Sequence, residues 1–374
     1  MILSDVCEFI VDCPHSTAPD EGKGYPLIRT PNVGKGRLDL NGVHRVSESV
    51  YKQRIQRGAP RANDLIFARE APAGNVALVQ ENQAVCLGQR TVLIRPNVQK
   101  VNPRYLVYYL LSPKPQYELL GTANGATVAH VNLPAIRNLK IELPEKAVQD
   151  KIGTILVSYD DLIENNQKQI KLLEEAARRL YKEWFVDLRF PGHENTKIVD
   201  GVPEGWSKTN INEILTFHRG YDLTKNEMKA GQYPVVGSTT VIGYHNEFKI
   251  KGPGIVTGRS GSLGKYQFIW DDFWPHNTSL YISDYKGHNI FFVYSLLQTV
   301  DFTSLNNGGA IPTLNRNVLS NVEVIEPEKK LQDMFAKIAE AQYQKIRNLE
   351  KQNDRLKTAR DLLLPKLMNG EVEV

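Results

Sequence analysis

No stretch of this 374-residue chain approaches 18 consecutive apolar residues, and no basic segment followed by an apolar one stands near its start. The chain therefore reads as neither membrane-spanning nor exported, and a cytoplasmic location is expected. Cysteine is scarce. Cys7, Cys13 and Cys86 are odd in number and lack metal-ligand spacing, so they read as thiols in a reducing compartment. Catalytic signatures are missing as well. Gly258 to Lys265 looks at first like a phosphate-cradling loop. A P-loop, however, needs four residues between its glycines and a Ser or Thr after the lysine; here five intervene and Tyr266 follows. The segment reads instead as a glycine-rich hairpin turn presenting Arg259, or as a plain structural turn. Cys13-Pro14-His15 has no second Cys/His pair at zinc spacing and reads as a tight turn. Neither a methyl-donor glycine motif with its Asn/Asp-Pro-Pro-aromatic partner nor a carboxylate–carboxylate–lysine nuclease core can be assembled. Pro19-Asp20 has no Glu-x-Lys downstream, and the eight histidines do not cluster. No catalytic residue, metal site or cofactor is expected in this chain.

The rest of the composition is ordinary. Hydrophobic content of 41% and charged content of 24% argue against disorder, and the length allows two or three domains. The net charge of +4 is unevenly spread. Residues 1–142 carry 17 Lys and Arg against 12 Asp and Glu, whereas residues 191–325 carry 11 against 12. The first segment is basic, and the second would have to gather its cations on one face to bind an anion.

What the chain does contain is one module written twice. A shift of 183 residues lays Asn124-Gly125 on Asn307-Gly308, Asn132 on Asn315 and Asn138 on Asn321. It also lays Pro144-Glu145-Lys146 on Pro327-Glu328-Lys329, and Gln149-Asp150 on Gln332-Asp333. A tandem repeat of this kind builds internal two-fold pseudo-symmetry, suited to a two-part ligand, with duplex DNA the leading candidate. Short apolar runs broken by Gly, Pro and Asn predict strands at Tyr25–Ile28, Asp64–Ala68, Val76–Val79 and Thr91–Ile94. A helix is expected at Pro103–Leu111. Tyr233–Val236 and Phe291–Leu297 repeat the plan in the second copy, and Arg69 with Gly74 finds a counterpart in Arg259 with Gly264. The expected boundaries are a first module at 1–142, a first long helix at 143–190, a linker at 191–204, a second module at 205–325 and a second long helix at 326–374.

The helices are the most sharply written elements. From Pro144, apolar residues recur with 4,3 spacing: Ile152, Leu156, Tyr159, Ile163, Asn166, Ile170, Leu173, Ala177, Leu180 and Trp184. This is a coiled-coil seam. The repeat shift gives a second seam of Phe335, Ala339, Gln342, Ile346, Leu349, Asn353, Leu356, Arg360, Leu363 and Leu367, with three polar members. Each rod would be roughly 60 Å long. The two could pair parallel or antiparallel, and antiparallel pairing would set the modules at opposite ends around a pseudo-dyad near Lys168 and Lys351. A coiled coil that only dimerises the protein is the alternative. In the antiparallel register, Asn166 faces Asn353, Ile163 pairs with Leu356, Ile170 with Leu349, Leu156 with Leu363, and Leu173 with Ile346. Trp184 then comes near Phe335. Two buried amides would satisfy one another and fix the register.

The polar residues suit recognition. Arg29, Asn32, Lys35, Arg37, Arg45, Arg69, Gln89 and Arg90 in the first module are candidate DNA contacts. In the second they are Arg219, Thr239, Tyr244, Asn246, Lys251, Arg259 and Asn277. Arginine holds guanine edges or phosphates through a two-pronged fork, and Asn or Gln can read adenine. An ordinary solvated role is the alternative for each. Tyr181, Trp184 and Phe185, at the end of the first helix, are candidates for docking a partner or for packing against the neighbouring module.

At Arg179-Leu180-Tyr181-Lys182-Glu183-Trp184-Phe185-Val186-Asp187 the chain resembles the central region of specificity (S) subunits of type I restriction-modification systems. Leu362-Leu363-Leu364-Pro365-Lys366-Leu367-Met368-Asn369-Gly370-Glu371 is similar to that family's C-terminal region. Asp12 to Thr17 and Phe67 to Gly74 are similar to one class of its first recognition domain. The resemblance implies an α+β fold: two globular mixed α/β target-recognition domains separated by two long antiparallel helices. It further implies a non-catalytic subunit whose domains each read half of a split duplex DNA site. Two methyltransferase subunits would dock on the helices and two endonuclease/translocase subunits would complete the complex. S-adenosylmethionine, ATP and Mg²⁺ would belong to those partners. One departure is that Met1 stands almost directly before the first recognition domain. A self-sufficient methyltransferase or nuclease with fused recognition domains, and a protein-only coiled-coil adaptor, are the competing classes. No catalytic domain's worth of sequence is left over for the former.

Overall fold

A computed structural model describes residues 1–121, 130–259, 264–300 and 322–374. Asn124-Gly125, Asn307-Gly308, Asn315 and Asn321 of the repeat, and residues 260–263 of the glycine-rich segment, lie outside them. The chain divides into two units, Met1–Gln167 with Glu350–Val374, and Lys168–Leu349.

The first unit contains strands β1 (Cys7–Asp12), β2 (Tyr25–Ile28), β3 (Gly36–Arg37), β4 (Arg45–Val46), β5 (Leu65–Ala68), β6 (Val76–Leu78), β7 (Cys86–Leu87) and β8 (Thr91–Pro96). Its short helices are α1 (Glu48–Arg54), α2 (Pro103–Leu111), α3 (Pro113–Gly121) and α4 (Leu133–Arg137). One sheet runs β1-β8-β5-β6-β3, antiparallel except for the last pair. A second runs β4-β2-β7, with β2 antiparallel to β4 and parallel to β7. β5 is buried along its whole length, which is why it reads as an unbroken apolar run rather than an alternating one. α2 starts where Asn102 accepts hydrogen bonds from the backbone N–H groups of Arg104 and Tyr105, with Pro103 in the first turn. Its Tyr105 and Tyr108 bury fully against Phe67 and Leu156 in one core. Truncating Phe67 to alanine there would cost about 3–5 kcal/mol.

After the first long helix, α5 (Lys146–Tyr181), the second unit adds strands β9 (Ile198–Val199), β10 (Val202–Pro203), β11 (Ser207–Asn210), β12 (Thr216–Arg219), β13 (Tyr233–Val236) and β14 (Val241–His245). These are followed by β15 (Gly254–Gly258), β16 (Tyr266–Ile269), β17 (Trp274–Pro275), β18 (Ser279–Asp284) and β19 (Glu323–Glu326). Helices α6 (Ile211–Ile214) and α7 (Ile290–Leu297) precede the second long helix, α8 (Lys329–Met368). The topology repeats that of the first unit. The order β12-β18-β15-β16 matches β1-β8-β5-β6 with every pair antiparallel, and β14-β13-β17 matches β4-β2-β7 in order and direction. α7 stands for α2, and Asn289 caps it by accepting from the Phe291 N–H.

The paired residues Gln149 and Gln332 do the same work in each copy. Both are buried, at 2% and 1% exposure. The Gln149 amide donates to the Pro144 carbonyl at 2.8 Å and accepts from the Asn102 N–H at 3.0 Å. Gln332 donates to the Pro327 carbonyl at 2.7 Å and meets His288 Nδ1 at 2.8 Å. Each ties the start of its long helix to the segment leading into α2 or α7, so the repeated motif is a structural clamp.

The helix seams pair antiparallel in the expected register, and the parallel alternative falls. In the first unit Asn166 Nδ2 donates to Asn353 Oδ1 at 2.9 Å. Leu156 shares a core with Leu363 and Leu367. Ile163 is buried and Leu356 half-buried. In the second unit the rings of Trp184 and Phe335 lie 6.2 Å apart; Ile170, Leu173 and Ile346 share its core, and Leu349 is buried. The first helix is shorter than expected. It gives way at Lys182–Val186 to a π-helical turn, and the expected linker at 191–204 contains the β9–β10 hairpin.

Candidate nucleic-acid interface

Strand register decides which polar residues meet. In the first unit Asp12 pairs with Val92 and Ala68 with Thr91, so the residues just past these positions gather at one end of the sheet. Arg69 Nη1 donates to Asp12 Oδ2 at 2.7 Å and Nε donates to the Val131 carbonyl at 2.9 Å. Arg69 Nη2 lies 2.9 Å from His130 Nε2. A guanidinium only donates, so Nε2 accepts; the neutral ring carries its proton on Nδ1, which donates to Glu70 Oε1 at 2.8 Å. Glu70 Oε2 meets Arg90 at 2.5 Å. His15 Nε2 stands 3.4 Å from Asp12, and the His15 carbonyl accepts from Gln89 Nε2 at 2.9 Å. His15, Arg69, Glu70, Gln89, Arg90 and His130 line a cavity of about 250 Å³. Two arginines face two carboxylates, so with neutral imidazoles the cluster is charge-balanced.

The second unit assembles the fold-equivalent place from other residues. Arg219 pairs with Leu280 and Gly258 with Ser279, which brings Arg219, Arg259, Asn277 and Thr278 to the matching strand ends. The Arg259 N–H donates to the Thr278 carbonyl at 3.2 Å, as the Arg69 N–H does to the Arg90 carbonyl at 2.9 Å. Asp222 accepts from Arg219 at 3.2 Å and from Asn277. Arg259 is exposed, and its guanidinium has no partner among the described residues. Two cations here face one carboxylate. β15 and β16, on either side of residues 260–263, pair antiparallel.

The candidates thus separate. Arg69, Gln89 and Arg90 come together, as do Arg219, Arg259 and Asn277. Arg69 itself is no free reader, because its side chain is 11% exposed and its donors are spent inside the fold. Asn32 is likewise corrected: it is buried, with Oδ1 accepting from the Arg29 N–H and Nδ2 donating to the Asp39 carbonyl. Arg37 pairs with Asp161 of α5 and ties module to helix, while Arg45 donates to the Gly24 carbonyl at 2.7 Å. Arg29 is half-buried and Lys35 exposed, and neither lines the cavity. Thr239, Tyr244 and Asn246 are exposed on and beside edge strand β14, and Lys251 is exposed shortly before β15. Tyr181, Trp184 and Phe185 are corrected too. Exposed by only 2%, 9% and 5%, they pack with Phe292 and Phe335 in the second unit's core and present no docking surface.

Sequence reading missed Glu70 and His130 as members of the cluster. Glu70 follows a recognised arginine, but nothing in the spacing joins it to a histidine 60 residues on. The buried Asp160–Arg360 ion pair, which also receives the Tyr108 hydroxyl at 2.5 Å, was hidden for the same reason. Among the described residues no three His, Cys, Asp or Glu side chains converge as a metal site would require, and no helix is long and apolar enough to cross a membrane.

Residues 1–175 and 203–358 each match the family model of the type I restriction modification DNA specificity domain. The chain is 27% identical over 362 residues to the specificity subunit of the type I restriction enzyme MjaIX of Methanocaldococcus jannaschii, covering 89% of this chain and 83% of that protein. It is 21% identical over 401 residues to the HindI specificity subunit of Haemophilus influenzae, covering 84% and 87%. The crystal structure of a type I restriction-modification S subunit from M. genitalium has a similar fold. Its TM-score is 0.60 at 17% identity, over 98% of this chain and 95% of that one.

Proposed function

Since this chain belongs to the type I restriction modification DNA specificity family, we propose that it selects the DNA target of such a system, each module reading one half of a bipartite duplex site. The observation that carries this reading is that the family model matches twice, once on each copy of the repeat. The charged strand-end clusters support it. They set arginine forks and amides at the same topological place in both modules, where groove edges can be read without any bond being made or broken.

The chain acts without chemistry of its own. Methylation and cleavage belong to methyltransferase and endonuclease subunits, which bring S-adenosylmethionine, ATP and Mg²⁺. Two methyltransferase subunits dock on the long helices. The exposed Leu172 of α5 (64%) and Leu362 of α8 (65%) are apolar side chains that an interface would cover. Leu172→Arg should reduce co-purification of the methyltransferase while leaving thermal stability within about 0.5 kcal/mol. Undiminished co-purification would remove Leu172 from the interface.

The test of the main reading is a domain exchange. Replacing residues 205–325 with the matching domain of a relative should change one half of the recognised sequence and leave the other intact, as read by methylation-site sequencing of the reconstituted complex. If both halves changed together, the modules would not be independent readers. Binding to duplex DNA should also weaken steeply with added salt, as it would not for a protein-only adaptor.

A further inference from the structure

We propose that Arg90 is the base-reading side chain of the first module, that it takes a guanine edge, and that Asp12, Arg69, His130 and Glu70 form the chain of contacts that aims it. This deepens the DNA-specificity reading and rests on it. Four features of the first unit lead to Arg90 rather than to its neighbours.

Exposure separates it first. The chain runs inward from Arg90 (64% exposed) through Glu70 (17%) and the part-exposed His130 (39%) to Arg69 (11%) and Asp12 (15%), so Arg90 is its most accessible member and its one exposed cation. Backbone is the second. Arg90 has φ +65°, a left-handed conformation that a residue with a Cβ adopts at a cost. It is held there by the Arg69 N–H on its carbonyl and by β8 starting at the next residue. A non-glycine residue kept in that state beside a polar cavity is strain placed where a side chain must be aimed.

Charge is the third. Glu70 cancels Arg90 and would repel a phosphate, so the pair suits a neutral ligand that offers acceptors to a fork. The O6 and N7 atoms of guanine in the major groove present that pair of acceptors. Rigidity is the fourth. His130 must accept from Arg69, which fixes its proton on Nδ1 and turns that proton toward Glu70. Glu70 is thereby pinned by His130 on one oxygen and by Arg90 on the other. Arg69, His130 and Glu70 are positioning residues.

The test offers a randomised duplex DNA pool to the full chain in the complex it forms with its methyltransferase, and sequences the bound fraction. Wild type should select a bipartite consensus with an invariant guanine in one half. Arg90→Ala should retain that consensus everywhere except at this guanine, where preference over other bases should fall by roughly ten-fold or more. Arg90→Lys, which keeps the charge but loses the fork, should lose the same preference with little change in overall affinity. Glu70→Gln should loosen the same single position, an effect that mere loss of fold stability would not confine to one base.

An unchanged consensus in the Arg90 variants would overturn the assignment and leave the DNA-specificity reading standing. So would a uniform loss of affinity across all sequences in Arg90→Ala that Arg90→Lys restores, which is the mark of a phosphate contact. Failure of the wild type to select any sequence would overturn both.

Discussion

Arg69 holds partners 57, 61 and 62 residues away along the chain. Its removal should be felt in stability before it is felt in binding. In Arg69→Met the Asp12 carboxylate, 15% exposed, loses its cation, and the expected loss is about 3 kcal/mol in denaturant unfolding. Unchanged unfolding with weakened DNA binding would make Arg69 a reader after all. Asn166 and Asn353 pose the complementary case. Asn166→Leu alone leaves a buried amide unpaired and should cost about 1–3 kcal/mol, whereas leucine at both positions should be nearly neutral in melting. If the double variant were as unstable as the single one, the amide pair would be contributing more than its mutual satisfaction. The thiols give a third check. Burial pushes Cys86 up to about 11 and Cys7 up to about 12, so both stay protonated at neutral pH. Alkylation of the native protein at pH 7 should be slow at both, and fast once the chain is unfolded.

Among the elements, the long helices were the most legible in the sequence. The 4,3 spacing is a local property, and a seam with one asparagine on each side admits one register that buries both amides together. Strands such as Leu65–Ala68 were legible for a related reason, since burial on both faces leaves an unbroken apolar run. Arg360 was not legible. On spacing alone it is a polar flaw in the second seam; in the fold it meets Asp160, which is 3% exposed, and Asp160 also takes the Tyr108 hydroxyl. Burial and the adjacent carboxylate push the Tyr108 phenol far above its ordinary value, so it remains a donor. Arg360→Met would strand a buried carboxylate and should destabilise the first unit by about 3 kcal/mol or more, seen as a lowered midpoint in urea. A midpoint shift below about 0.5 kcal/mol would mean that water reaches Asp160 in solution. The π-helical turn at Lys182–Val186 also had no sequence signature, because the 4,3 seam continues through Trp184 while the backbone winding changes beneath it.

At the level of the molecule, the repeat announced two similar modules, and the matching strand orders bear this out. It did not announce what the repeated residues were for. Gln149 and Gln332 recur because a clamp is needed twice, whereas the residues at the strand-end clusters differ between copies, as they would if each module met a different half-site. Arg90 has Thr278 at its fold-equivalent place, Asp12 has Arg219, and the balanced charges of one cluster face a surplus of one cation in the other. Two readers built on one plan but furnished differently give the chain a sense of left and right. Its target would not equal its own reverse complement, and a duplex reversed end for end would have to be bound by a protein reversed with it. Footprints on a linear fragment carrying the site in either direction should therefore be mirror images, with each module always over the same half.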